Sequence, residues 1–145
     1  MTTTLTGLVT TTDTTTGQVT LANGNIDVVG GISAQGAVSL TGATTLSGGI
    51  TTTGDNIGLN SATTLAGNVL LSTGAGVGGN ISFANTLDDT VAGTHTLGLT
   101  AGTGTVTFTG VVGGTALGAV TINSAQRVTI TTADSTLISG FHRHW

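Results

Sequence analysis

Apolar residues alternate with small or polar residues along short stretches of this 145-residue chain. Three pairs in the first half share the spacing, namely Val19/Leu21, Val38/Leu40 and Ile57/Leu59. A period of two is typical of a β-strand with one buried face. The predicted strands are short and are separated by Gly, Asn, Asp or Ser, which are residues that favour turns.

The first half of the chain also repeats itself with a period of 19. Segment 37–51 aligns with segment 56–70, so that the quartet Ala-Thr-Thr-Leu recurs and Ile50 aligns with Val69. Three short strands in each repeat predict one triangular coil. A single coil cannot bury its inward side chains, whereas parallel coils stacked on one another can.

The second half keeps the alternation with a longer period. Val106 and Phe108 follow Ile81 and Phe83 at an offset of 25, and Val128 follows Val106 at an offset of 22. We therefore predict an all-β fold, a parallel β-helix (β-solenoid) without helices, with triangular coils of period 19 in the first half and coils of period 22–25 in the second. A Thr-rich strand or cap is expected at 1–16, the repeat domain at 17–139 and a distinct tail at 140–145.

Composition supports this prediction and excludes other classes. The chain holds 35 Thr and 25 Gly, and it has no Glu, Lys, Pro, Cys or Tyr. Because the usual helix formers are scarce, helical bundles, coiled coils and doubly wound α/β folds are excluded. The absence of Cys excludes disulfide scaffolds and cysteine-ligated zinc.

The charges are few and mildly acidic. All six acids are Asp, the two fixed cations are Arg127 and Arg143, and the net charge is −4. Without a basic patch to neutralise phosphates, we expect no nucleic-acid partner and no binding to anionic membranes. No window is apolar for long enough to predict insertion into a membrane.

Candidate catalytic residues are scarce. Asp88 and Asp89 are the only adjacent acids, and we interpret them as a solvated turn. His95 alternates with Thr94 and Thr96 and is expected at an exposed strand position. No Ser–His–acid arrangement, calcium-binding nonapeptide or phosphate-binding loop is found, so we expect no enzyme activity, no catalytic residue, no cofactor and no metal.

The last residues differ from the rest of the chain. Phe141, His142, Arg143, His144 and Trp145 hold two of the three His, one of the two Arg and the only Trp. We predict that these five residues are possible assembly contacts or a cap, since Trp and Arg are enriched in contact hot spots. A docking peptide, a cloning remnant and adventitious metal binding by the two histidines remain alternatives.

The short coils of the first half, together with segment 102–125, resemble the repeats of filamentous-haemagglutinin-like exoproteins and related autotransporter adhesins. The resemblance covers roughly positions 17–139. It implies a right-handed parallel β-helix that a Gram-negative cell exports as a stalk, adhesin or matrix fibre.

We therefore expect a non-enzymatic structural protein, extracellular or on a bacterial cell surface, that forms a fibre by end-to-end stacking with copies of itself. The alternative is an adhesin segment that binds a host or matrix ligand through an outward Thr/Asn face. Ice binding is less favoured, because at an offset of 19 the pair Thr51/Thr53 aligns with Ile32/Ala34 and with Leu70/Ser72, so that the Thr pairs do not stack. A carbohydrate-active enzyme would need an acid-lined groove, which the sequence does not predict.

Overall fold

The structure, a computed structural model, describes residues 1–131 and the strand at 141–143. In this part of the chain every regular element is a β-strand and every strand pair is parallel. The strands are β1 (Thr2–Leu5), β2 (Val9–Thr10), β3 (Val19–Val28), β4 (Ile32–Ser33), β5 (Val38–Leu46), β6 (Ile50–Thr51), β7 (Ile57–Leu59), β8 (Thr63–Leu65), β9 (Val69–Ser72), β10 (Ile81–Phe83), β11 (Leu87–Asp89), β12 (Thr96–Thr100), β13 (Thr105–Phe108), β14 (Ala119–Ser124), β15 (Arg127–Ile130) and β16 (Phe141–Arg143). The predicted all-β parallel β-solenoid is confirmed, with about six turns.

The turns have three sides. The first side contains the start of β3, the start of β5, and β7, β10, β13 and β15. The second side contains β1, the ends of β3 and β5, and β8 and β11. The third side is a separate seven-stranded sheet that runs from β2 to β16. β3 and β5 serve two sides because each bends around the corner between them.

The pairing register agrees with most of the sequence spacing. Val19 pairs with Val38 and Val38 with Ile57, which is the predicted period of the first half. Ile81 pairs with Val106, as the longer period of the second half predicts. The predicted alignment of Ile50 with Val69 is wrong, because Ile50 pairs with Leu71, two positions further along the chain.

Most of the core is built from columns of apolar residues, one from each turn. One inward column of the first side contains two stacked phenylalanines. Its members are Leu21, Leu40, Leu59, Phe83, Phe108 and Ile130. Phe83 and Phe108 stack with ring centroids 5.2 Å apart and planes 9° from parallel. Because a fully buried aliphatic or Phe side chain contributes about 1.5–3 kcal/mol, these columns supply the main stabilisation.

Threonine hydroxyls fix the corners that follow the third side. Thr11 donates its hydroxyl hydrogen to the Gly17 carbonyl at 2.6 Å, and Thr73 donates to the Gly79 carbonyl at 2.8 Å. Both acceptors lie inside the connection that leads to the next turn. Each hydrogen bond therefore ties a long connection back to the core. No helix in the described part of the chain is long and apolar enough to cross a membrane.

Candidate functional site

The outward side chains of the first side form a face of hydroxyl and amide groups, which we call the polar face. Its central column is Thr20, Ser39, Gly58, Ser82, Thr107 and Thr129. Flanking positions include Asn56, Asn80 and Thr105 on one edge and Thr41, Asn60 and Thr131 on the other. Among the described residues of this face, Arg127 is the one that carries a charge. Apart from Arg127, the described residues of the polar face therefore present short, neutral hydrogen-bonding groups on a parallel sheet.

Some of these polar groups also hold the turns together. The Asn80 N–H donates to Asn56 Oδ1 and the Thr105 N–H donates to Asn80 Oδ1, both at 2.8 Å. The Asn60 amide donates at 3.0 Å to the hydroxyls of Ser39 and Thr41. Part of the polar face is thus a structural ladder that bridges neighbouring turns.

A second ladder of hydroxyls lies on the third side. In register order it contains Thr10, Ser33, Thr51, Ser72, Thr100 and Ser124. The expectation that Thr51 aligns with Ile32 and Leu70 is wrong, because the register on this side departs from the period of 19 and brings Ser33 and Ser72 beside it. Hydroxyl groups do stack on this side, although complete Thr-x-Thr pairs do not.

Asp89 is buried, so its interpretation as part of a solvated turn is wrong. It pairs with Leu65 in an inward column and its relative exposure is 3%. Its carboxylate oxygens accept hydrogen bonds from the N–H groups of Val91 at 3.1 Å, Thr94 at 3.2 Å and His95 at 2.8 Å. The carboxylate thereby fixes the loop 90–95, while the neighbouring Asp88 points outward and accepts from the Thr115 N–H at 2.9 Å.

His95 contacts the same carboxylate, so the expected exposed strand position is also wrong. Its Nδ1 lies 2.5 Å from Asp89 Oδ1, its side chain is 19% exposed, and it precedes β12. A carboxylate only accepts hydrogen bonds, so Nδ1 carries the hydrogen. Burial by itself raises the pKa of Asp89, but the hydrogen bonds from His95 and Val91 and the His95 charge outweigh it and leave that pKa below its ordinary value.

A sequence signal for this burial exists. Ile57 pairs with Ile81, and the same offset applied to Leu65 arrives at Asp89. A groove of about 230 Å³ also lies on the second side, nearer its N-terminal turn, and is lined by residues that include Asn25, Asp27 and Ala43. Within the described ranges, no three His or Asp side chains converge to hold a metal ion.

At both ends of the described solenoid, several core side chains are only partly buried. The core hydrophobics that stay half-buried are Leu5, Val9 and Leu21 at the first turn, and Leu117 and Val128 near the last described turn. Ile130, the last member of its inward column, is 44% exposed. In the described part of the chain, β2 and β16 are the edge strands of the third side, and β15 ends the first side.

The predicted assembly contacts can be placed only in part. β16 pairs with β14, so that Phe141 lies beside Val120 and Arg143 beside Ile122. The side chains of Phe141, His142 and Arg143, and the whole of His144 and Trp145, lie outside the described residues. Their role as contacts stays a prediction.

Comparison with protein-family models, with curated proteins and with solved structures finds no match to this chain. The parallel β-solenoid that the resemblance implies is present. The filamentous-haemagglutinin type itself has no support from a family match.

Proposed function

We propose that the chain is a non-enzymatic structural rod on the outside of a bacterial cell, where it contributes to a surface fibre by end-to-end stacking. The observation that carries the proposal is that core side chains are partly exposed at both ends of the described solenoid. Half-buried Leu5, Val9 and Leu21 lie at one end, and Val128 and the more exposed Ile130 lie at the other. The extracellular location rests on the resemblance of the repeats.

Stacking would continue structure that already exists within one copy. Leu21 and Ile130 are the first and last described members of one inward column. A second copy placed one strand spacing away, about 4.8 Å, would extend that column and bury both residues. The same step would pair the open edges of β15 and β3, and unpaired edges are templates for another chain.

A binding role for the polar face is the second candidate. It is favoured by the neutral hydroxyl and amide columns of the first side, which Arg127 alone among their described residues interrupts with a charge. In this role the chain is an adhesin segment with a host or matrix ligand, and outward substitutions such as Thr107→Val abolish binding without changing the length of particles.

Negative-stain electron microscopy over a protein concentration series tests the stacking proposal. We expect filaments that lengthen with concentration, and short particles for Ile130→Lys. The matched control is Leu70→Lys, because Leu70 is 49% exposed but lies on the wall of the third side rather than at an end. Circular dichroism checks that both variants keep their strands.

Each result decides between the proposals. Filaments from the wild type and the control, but not from Ile130→Lys, support end-to-end stacking. Short particles at every concentration contradict it, and so does equal loss of filaments in the two variants.

A further inference from the structure

Asn23 and Gly24 form a bulge in β3, at the corner between the first and second sides. Ala22 pairs with Thr41 and Asn25 pairs with Ala43, so that two residues of β3 face the single residue Gly42. Residues 23 and 24 thus have no partner in the pairing register of β3 with β5.

The side chain of Asn23 folds back on the peptide that follows it. The Gly24 N–H donates to Asn23 Oδ1 at 2.9 Å, and Asn23 Nδ2 donates to Thr3 Oγ1 at 2.6 Å. The second contact holds the side chain in place. The carbon Cγ, one bond from Oδ1, is therefore kept beside the Gly24 nitrogen, and Gly24 is exposed and has no Cβ to shield the approach.

We propose that Asn23 is a site of spontaneous deamidation in the folded protein. The deprotonated Gly24 nitrogen attacks Asn23 Cγ, the N–Cγ bond forms, the Cγ–Nδ2 bond breaks, and Nδ2 leaves as ammonia after taking up a proton. Water then opens the cyclic imide at either carbonyl and yields aspartate or isoaspartate at position 23. The reaction needs only water, and no oxidant or cofactor.

Asn85 provides an internal comparison. The Thr86 N–H donates to Asn85 Oδ1 at 2.8 Å, so this side chain folds back in the same way. The residue that follows it is Thr, whose branched Cβ hinders approach to the nitrogen and restricts the backbone. The two sites thus share the folded-back side chain and differ in the residue after Asn, and Asn85 is expected to react more slowly.

Conversion of Asn23 would alter the first turn. Isoaspartate carries one more atom in the main chain, and the space at the bulge is small, because a Cβ added to Gly42 would lie 1.9 Å from the Asn23 carbonyl oxygen. Loss of Nδ2 also removes the donor that binds Thr3 of β1. We expect isoaspartate to weaken the docking of β1.

Peptide mapping by mass spectrometry tests the proposal on the folded full chain. The protein is incubated in neutral and in mildly alkaline buffer, and amide loss is followed at every Asn. We expect conversion at Asn23 several-fold faster than at Asn85, with an isoaspartate fraction and a rate that rises with pH. Gly24→Ala should slow conversion at position 23, and Thr86→Gly should accelerate it at Asn85.

The controls make the result decisive. A parallel sample unfolded in urea reports the rate without the folded geometry, and circular dichroism confirms that the variants are folded. Conversion of Asn23 at or below the Asn85 rate in the folded protein overturns the proposal. Conversion at Asn23 that is seen only in urea overturns it as well. If Gly24→Ala fails to fold, the proposal is still tested by the relative conversion rates of Asn23 and Asn85 in the wild type and by the rate at Asn85 in Thr86→Gly.

Discussion

The buried carboxylate of Asp89 gives the sharpest test of the register on the second side. Asp89→Asn removes the charge and one of the two acceptor oxygens while it keeps the size of the side chain. Asp88→Asn is the matched control, since the same chemical change is made at the preceding position, on the outward face of β11. If the register is right, Asp89→Asn lowers the free energy of unfolding much more than Asp88→Asn does.

The expected difference follows from the contacts. Asp89 accepts four hydrogen bonds, three from backbone N–H groups and one from His95 Nδ1. The amide of an Asn at position 89 has one oxygen, so about half of these hydrogen bonds are lost. The NH₂ group of that amide then faces other hydrogen-bond donors. At about 1.5–3 kcal/mol for each bond to a charged group, the loss of two bonds in Asp89→Asn should lower the free energy of unfolding by about 3–6 kcal/mol. Asp88→Asn keeps an oxygen for the Thr115 N–H and should cost about 0.5 kcal/mol or less.

Urea unfolding at neutral pH, followed by far-ultraviolet circular dichroism, measures both values. The slopes of the transitions must agree between variants, because solenoids can lose cooperativity between turns. Equal midpoints for the two variants would refute the burial of Asp89, and so would a larger loss for Asp88→Asn.

Three further outcomes are expected. The pKa of Asp89 is lower in the folded protein than in the unfolded chain, where it is about 3.9. The stability that the ionised carboxylate provides is therefore complete above the unfolded pKa and is lost as pH falls through the folded pKa. In acid titrations, the difference in free energy of unfolding between the wild type and Asp89→Asn should shrink only below about pH 4. Phe108→Ala should lower the free energy of unfolding in urea by about 3–5 kcal/mol, because it leaves a cavity against Phe83, whereas Phe108→Leu should lower it less. Thr73→Val should cost about 1 kcal/mol by the same assay, because it removes a buried hydroxyl donor, whereas Thr51→Val changes an exposed hydroxyl and should have little effect.

The stacking of like residues made most of the fold predictable. Leu46 above Leu65 and Phe83 above Phe108 are visible in the sequence because inward columns repeat apolar residues at the turn spacing. The register at Val69 was not predictable in this way. Val69 and Leu71 are both apolar and both point inward, so a shift from one to the other leaves the hydrophobic pattern unchanged.

The buried acid was harder to predict for a different reason. Burial of Asp89 depends on the backbone of loop 90–95, which folds back and supplies three N–H donors. The offset from Leu65 places Asp89 in an inward column, but residue type and alternation carry no information on the loop conformation that supplies the donors. His95 was missed with it, because its ring is positioned by the same carboxylate.

Fibre diffraction from oriented filaments tests the central claim of end-to-end stacking most directly. In this arrangement the strands lie across the rod and the turns repeat along it. The account predicts a reflection at about 4.8 Å, the strand spacing, on the meridian parallel to the filament axis. Filaments whose strand-spacing reflection lies on the equator would contradict stacking along the solenoid axis, and so would a protein that forms no filaments at any concentration.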